Sequence, residues 1–387
     1  MWTKSYGKTG KQVSAIGFGG MRFADPSDID TSAEVVLHAY RRGVTYFDTA
    51  PGYCEDHSED IMGAAIKQMK PGTFTISTKS FAFKGEDLRK SLERSLKRLN
   101  VEKLDFFHIW CILGLDAWQQ RKDGGAVAAA IKAREEGLIE HLVVSSHMGG
   151  EDVATMLREG IFEGITLGYC AINFPYRDAG VAAAAEMGLG VAAMNPLGGG
   201  IIPQNPERLS FLRGENDETV VQAALRFVVS NPAISTALVG FSSTDHVDQA
   251  VDAVEDFQPY PPEHIEKVRK NILGSFDDLC TGCGYCLPCP QGVPIPQLMD
   301  VHNLTKLGEP KPWEIGGRMK WHWNIPMDSP DACSMCGACE ERCTQHLNIR
   351  ERLAELKEVH FPAVQKWREK MEAKKKAEEA KKAAEGK

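Results

Sequence analysis

From Ala15 to about Ala253, short β-rich runs alternate with segments whose apolar residues recur every three or four positions. The strand candidates are AIGFG from Ala15, TYFD from Thr45, TFTISTK from Thr73, LDFFHIW from Leu104, HLVVSS from His141, ITLGY from Ile165, VAAM from Val191 and STALVG from Ser235. Between them lie amphipathic stretches such as GEDLRKSLERSLKRLN from Gly85 and ETVVQAALRFVVS from Glu218. Parallel strands need crossover helices, and eight β-then-α units predict an α/β chain built on a closed (β/α)8 TIM-type barrel.

Ahead of this region, Tyr6 to Val13 with its GKTG turn predicts a small hairpin that plugs the barrel floor. Behind it, QPYPP from Gln258 reads as a linker, because proline denies both helix and strand there. The expected organisation is a barrel over 1–262, a small domain over 263–361, and a charged tail over 362–387, helical or disordered and rich in Lys, Glu and Ala. From Cys280 to His346 the chain is rich in Cys, Gly and Pro and poor in periodicity, which suits a domain held by metal more than by a core.

The 387 residues are 43% hydrophobic and 25% charged, ordinary for a globular chain. A net charge of -8 argues against nucleic acid or an anionic membrane as partner, since both want a basic surface. No long apolar run and no leader pattern is visible, so a soluble, cytoplasmic protein acting on a small molecule is expected.

Eight of the eleven cysteines fall in two tight clusters, and only Cys54, Cys111 and Cys170 are scattered. Clustering, an odd total and no export signal favour metal ligation over disulfides. Cys280, Cys283, Cys286 and Cys289 are spaced C-x2-C-x2-C-x2-C; Cys333, Cys336, Cys339 and Cys343 are spaced C-x2-C-x2-C-x3-C. Zinc ribbons use pairs separated by longer gaps, so triplets at two-residue spacing favour iron–sulphur over zinc. Both runs resemble those of bacterial two-cluster ferredoxins, with Thr344 where that pattern has Pro. The resemblance implies an α-rich ferredoxin-like domain with two 4Fe-4S clusters. It also implies their sharing: Cys280, Cys283 and Cys286 with Cys343, and Cys333, Cys336 and Cys339 with Cys289.

The segment GVTYFDTAPGY, Gly43 to Tyr53, with GKTG and VSAIGFGG upstream and LERSLKRLNVEKLDFFHIW downstream, resembles the aldo-keto reductase superfamily. Together with the cysteine-bearing remainder, the chain resembles the branch of that superfamily with a fused ferredoxin-like domain. Asp48 and Lys79 end strand candidates and Tyr53 follows in a loop, where such barrels carry their active sites. The resemblance implies Tyr53 as general acid or base, Lys79 as the charge that lowers its pKa, and Asp48 as the partner holding the ammonium. The superfamily's fourth residue, a His, aligns with Trp110, while His108 lies two residues earlier on the same strand face. His108 therefore either points toward the site one layer deeper or is a core histidine, and His147 is a further candidate.

The same resemblance implies a nicotinamide cofactor, NADP or NAD. Ser145, Ser146 and Asn173 match positions that hold the carboxamide, and Met194 stands where an aromatic residue stacks on the ring, followed by Pro196 and Leu197. In GFSSTDHVDQA, Gly240, Ser242 and His246 belong to the phosphate-holding segment, which has no Lys or Arg to choose between the two nucleotides. The leading expectation is an oxidoreductase that reduces a small carbonyl compound or oxidises an alcohol. The alternative is an electron-transfer protein whose barrel binds an organic acceptor and whose clusters serve an external redox partner. A nicotinamide passes two electrons together and a cluster one at a time, so the clusters are either structural or electron-carrying.

Overall fold

A computed structural model describes every residue except 273–277, 281, 283, 324, 386 and 387. All eight predicted strands form. They are β3 (Ile16–Gly19), β4 (Tyr46–Asp48), β5 (Thr75–Ser80), β6 (Leu104–Ile112), β7 (Ile139–Ser146), β8 (Gly164–Gly168), β9 (Gly190–Met194) and β10 (Thr236–Gly240), after a hairpin of β1 (Thr3–Ser5) and β2 (Gln12–Ser14). The strands pair in parallel in chain order, and β10 closes on β3 with Gly240 opposite Gly19. The ladder thereby sets the carboxyl ends of all eight strands in one ring.

The hairpin plugs one end. Tyr6 is fully buried and packs with Val13, Tyr46, Phe106, Val143, Ala192 and Leu238 inside the barrel. Gly190 must be glycine for this plug, since a Cβ there would lie 2.0 Å from the Tyr6 ring. Helices follow the strands; Gly85–Leu99 buries Leu88, Leu92, Ser95 and Leu99 along one stripe and ends on a left-handed Asn100.

The chain divides into Met1–Ile272 and Leu273–Lys387. The first unit thus runs past the predicted linker and takes in the helix Pro262–Ile272, because that helix is itself amphipathic. Val268 and Ile272 are buried, and Arg269 pairs with Asp178 at 2.8 Å. The second unit is α-rich, as expected, but has a real apolar core of Val293, Leu298, Met299, Val301, Leu353, Leu356 and others, with Cys286 and Cys339 inside it. The charged tail is a helix, Phe361–Glu385, whose first turns dock through buried Phe361 and Val364. Among the described residues, no helix is long and apolar enough to cross a membrane.

Candidate active site and cysteine centre

Asp48 closes β4 and sits opposite Ser77 of β5, so strand register alone brings Lys79, two residues on, to its side. Lys79, 2% exposed, donates to Asp48 Oδ2 and, at 2.8 Å, to the Thr49 carbonyl. Ser77 Oγ donates to the other carboxylate oxygen at 2.9 Å. Burial pushes the Asp48 carboxyl up and the Lys79 ammonium down, each against the pull of its partner.

Tyr53 lies in the loop beyond β4, with the Lys79 Nζ 5.3 Å from its ring centre. The three residues after it, Cys54, Glu55 and Asp56, all have left-handed backbone, at φ of 53, 57 and 72°. Ion pairs hold that turn: the Asp56 carboxylate receives the Gly52 N–H at 2.8 Å and the guanidinium groups of Arg94 and Arg98 at 2.6 and 2.9 Å. The expected lowering of the Tyr53 pKa by Lys79 is not found. Burial, with Asp48 beside it, pushes the phenol well above its usual range, because the ammonium is already engaged by Asp48 and Thr49.

The side chain against Tyr53 is Trp110, edge-on with ring centres 5.5 Å apart. His108 is fully buried one layer deeper, in register with Lys79, and shares a 3.0 Å hydrogen bond with Thr166 Oγ1. Burial and the Lys79 charge keep its imidazole neutral, with a pKa well below the usual value. His147 is also buried, its pKa pushed down to about 3 by burial and by Arg177.

Beside Trp110 a cleft of about 520 Å³ opens between Pro51, Ser80, Phe81, Ala82, Phe83 and Lys84. Its aromatic wall is braced from behind by Arg121, 1% exposed, whose guanidinium lies 3.4 Å from the Phe83 ring centre and 4.8 Å from that of Phe81. Arg121 also donates to the Trp110 carbonyl at 3.2 Å.

At the ends of β7 and in the loop after β8, Ser145 Oγ and Asn173 Nδ2 are buried without hydrogen-bond partners among the described residues, so a donor and an acceptor stand ready there. Ser146 is different: its hydroxyl donates to the Ile112 carbonyl at 3.0 Å and accepts from Met148 N at 3.1 Å, tying it to the loop. Met194 and Leu197 are half-buried and Pro196 buried. Gly240 ends β10, and Ser242 Oγ and His246 Nδ1 are 3.0 Å apart at the start of the helix Thr244–Val254, which Ser243 caps. Sequence reasoning missed Arg22, which the β10–β3 closure sets against Gly240: a Cβ there would be 2.5 Å from the Arg22 Cγ. Its charge also reaches Tyr53. Arg22 lies far from Gly240 along the chain, so no local motif signals it.

In the second unit, Cys289, Cys333, Cys336 and Cys339 line one narrow cavity with Cys286, Gly337 and Val293. Gly337 at φ +82° lets the backbone curl round it. Backbone N–H groups already point at sulphur: Gly282 to Cys280, Met335 to Cys333 and Leu347 to Cys343, each at 3.4 Å. The Ala338 N–H and the Ser334 side chain hold the exposed Cys336 thiol below its usual pKa. Clustered cysteine sulphurs, N–H groups aimed at them and the left-handed Gly337 fit an iron–sulphur cluster. Cys283 lies outside the described residues.

Residues 15–272 match the aldo/keto reductase family, and residues 279–347 match the 4Fe-4S dicluster domain. An L-galactose dehydrogenase of Arabidopsis thaliana is 27% identical over 66% of this chain and 88% of its own. A probable aldo-keto reductase 1 of Glycine max is 25% identical over 64% and 83%. The holo form of aldo-keto reductase AKR11C1 from Bacillus halodurans superposes with a TM-score of 0.62 at 20% identity, over 70% of this chain and 96% of that one.

Proposed function

The chain belongs to the aldo/keto reductase family and carries a 4Fe-4S dicluster domain, and we propose that its barrel reduces a small carbonyl compound, or oxidises the alcohol, with Tyr53 as general acid or base. The observation that carries this is Tyr53 itself: a buried phenol beside the Asp48–Lys79 pair, kept protonated by its surroundings. A neutral phenol packed against Trp110, a wall of the cleft, is a proton donor to a developing alkoxide. In the oxidising direction, to which the name of the Arabidopsis relative refers, the same oxygen must first lose its proton.

A bound nicotinamide supplies or takes the hydride. Ser145 and Asn173 suit its carboxamide through their unpaired hydroxyl and amide groups. Met194 offers a thioether face, with Pro196 and Leu197 following, and Gly240, Ser242 and His246 offer the phosphate segment. Arg22 adds the positive charge which that segment lacks in its own sequence, and this favours the doubly charged ribose phosphate of NADP over NAD. Trp110 with Phe81 and Phe83 shapes the substrate side, and His108 serves as a neutral support beside Lys79.

The cysteines are read as holding two 4Fe-4S clusters, one on Cys280, Cys283, Cys286 and Cys343, the other on Cys333, Cys336, Cys339 and Cys289. The cavity lined by the last four, and by Cys286 beside them, supports cluster binding there. Exposure of Cys336 supports a second reading, in which the clusters exchange electrons with an external carrier. An anaerobic titration of the cluster-loaded protein with NADPH and NADH, following nicotinamide fluorescence and cluster absorbance together, tests both. Binding without bleaching supports a hydride-transfer barrel with electronically separate clusters, and bleaching gives the carrier reading the lead. No binding of either nucleotide overturns the nicotinamide assignment.

A further inference from the structure

The helix Ile295–Lys306 carries two buried polar side chains in succession, an arrangement that an amphipathic helix does not need for packing. Asn303 is 1% exposed, and its amide makes two hydrogen bonds to one residue: Oδ1 accepts from Cys280 N at 2.9 Å and Nδ2 donates to Cys280 O at 2.8 Å. Its neighbour His302, fully buried, shares a 2.8 Å hydrogen bond with Glu355 Oε2. Glu355 ends the helix Ile349–Glu355, so adjacent residues of one helix hold the Cys280 peptide and the end of that second helix. Arg352 of that helix in turn pairs with Asp278, two residues ahead of Cys280.

We infer that Asn303 is a positioning residue for the cluster held by Cys280, which it presets by clasping the cysteine's own peptide groups. The inference rests on the reading of Cys280 as a ligand. Cys280 and the described residues beside it lie in no strand or helix, so without Asn303 the N–H and C=O of this residue would need water or new partners inside the fold. Asn satisfies both, with a donor and an acceptor side by side. Leu fills the same space with neither, and Asp keeps the acceptor but sets a carboxylate against the Cys280 carbonyl. With its peptide held, Cys280 presents its sulphur in one orientation, and that sulphur already receives the Gly282 N–H at 3.4 Å. Hydrogen bonds of this kind, and the partners that orient a ligand, set cluster affinity and reduction potential.

The test is made on the full chain, reconstituted anaerobically with iron and sulphide, reading iron per chain, the reduction potential of each cluster and the paramagnetic spectrum of the reduced protein. Wild type is expected to hold roughly eight irons, two four-iron clusters. Asn303→Leu is expected to hold about half of that, with one reduction step and no magnetic coupling between clusters, as is Cys280→Ser. Asn303→Asp is expected to keep both clusters, to shift the potential of one only, and to lose its iron to a chelator about 10–100-fold faster. If the leucine variant does not fold, the aspartate variant decides. Wild-type potentials, spectrum and chelation rate in Asn303→Asp overturn the inference, as does a full complement of iron with unchanged potentials in Asn303→Leu. A wild-type chain that holds no second cluster overturns the ligand reading beneath it.

Discussion

Lys79 Nζ lies 5.3 Å from the centre of the Tyr53 ring, yet its hydrogen bonds go to Asp48 and to the Thr49 carbonyl. The ammonium is held under the phenol by groups that also absorb much of its charge. Tyr53→Phe removes only the proton-carrying oxygen and leaves that pair in place. Turnover is expected to fall about 10²–10⁴-fold, with nicotinamide affinity unchanged by fluorescence titration.

Breaking the pair from one side leaves a buried charge. Lys79→Met is expected to cost about 3–5 kcal/mol of stability by urea unfolding, because Asp48 stays buried without its cation. The double variant Lys79→Met/Asp48→Asn is expected to recover part of that loss. Additive losses would show that the two side chains do not interact.

A phenol pushed above its usual range near 10 is protonated throughout neutral pH. Carbonyl reduction by the enzyme is therefore expected to be flat between about pH 6 and 9, while alcohol oxidation, which needs the phenolate, climbs about tenfold per unit over that span. Initial rates in both directions with one substrate pair check this; an oxidation rate that levels off near neutrality would place another base in the reaction.

The left-handed turn at Cys54–Asp56 is held through Asp56 by Arg94 and Arg98, not by glycines. Asp56→Ala is expected to lower kcat about tenfold, with little change in cofactor binding, because a small displacement of Tyr53 suffices for that loss. An unchanged kcat would show that Tyr53 is held in place without this carboxylate.

His147 is buried neutral, its pKa down at about 3 against about 6.5 in the unfolded chain. Between those values the unfolded state binds the extra proton, so stability rises with pH through this window and is lost as pH falls from about 6.5 toward 3. The loss is about 1.4 kcal/mol per unit for this one group. Urea midpoints at pH 7 and 5 are expected to converge in His147→Gln relative to wild type.

The barrel was legible because all eight strand runs were bounded by helix-period segments, and register then delivered Asp48 and Lys79 to one another. Alternation placed His108 and Trp110 on one face, but which of them meets Tyr53 depends on depth along β6, a matter of where the loop after β4 folds back. The linker at Gln258–Pro262 read as a boundary, whereas Val268 and Ile272 keep the next helix with the barrel unit. Arg22, Arg121 and Asn303 left no signal, since each acts across a gap in sequence and sits in a stretch of ordinary composition. Ser146, matched by position to a cofactor contact, also bonds to Ile112 and Met148, and those bonds come from the local loop path.

The guanidinium of Arg121 keeps two nitrogens, Nε and Nη1, without hydrogen-bond partners among the described residues, and the rings of Phe81 and Phe83 are what shelter it. The rings facing the cleft are thus also the insulation of a buried cation. Trimming either one to admit a bulkier substrate uncovers a positive charge beside Trp110, so a change meant to enlarge the cleft also alters which substrates it attracts, toward those that carry a negative group.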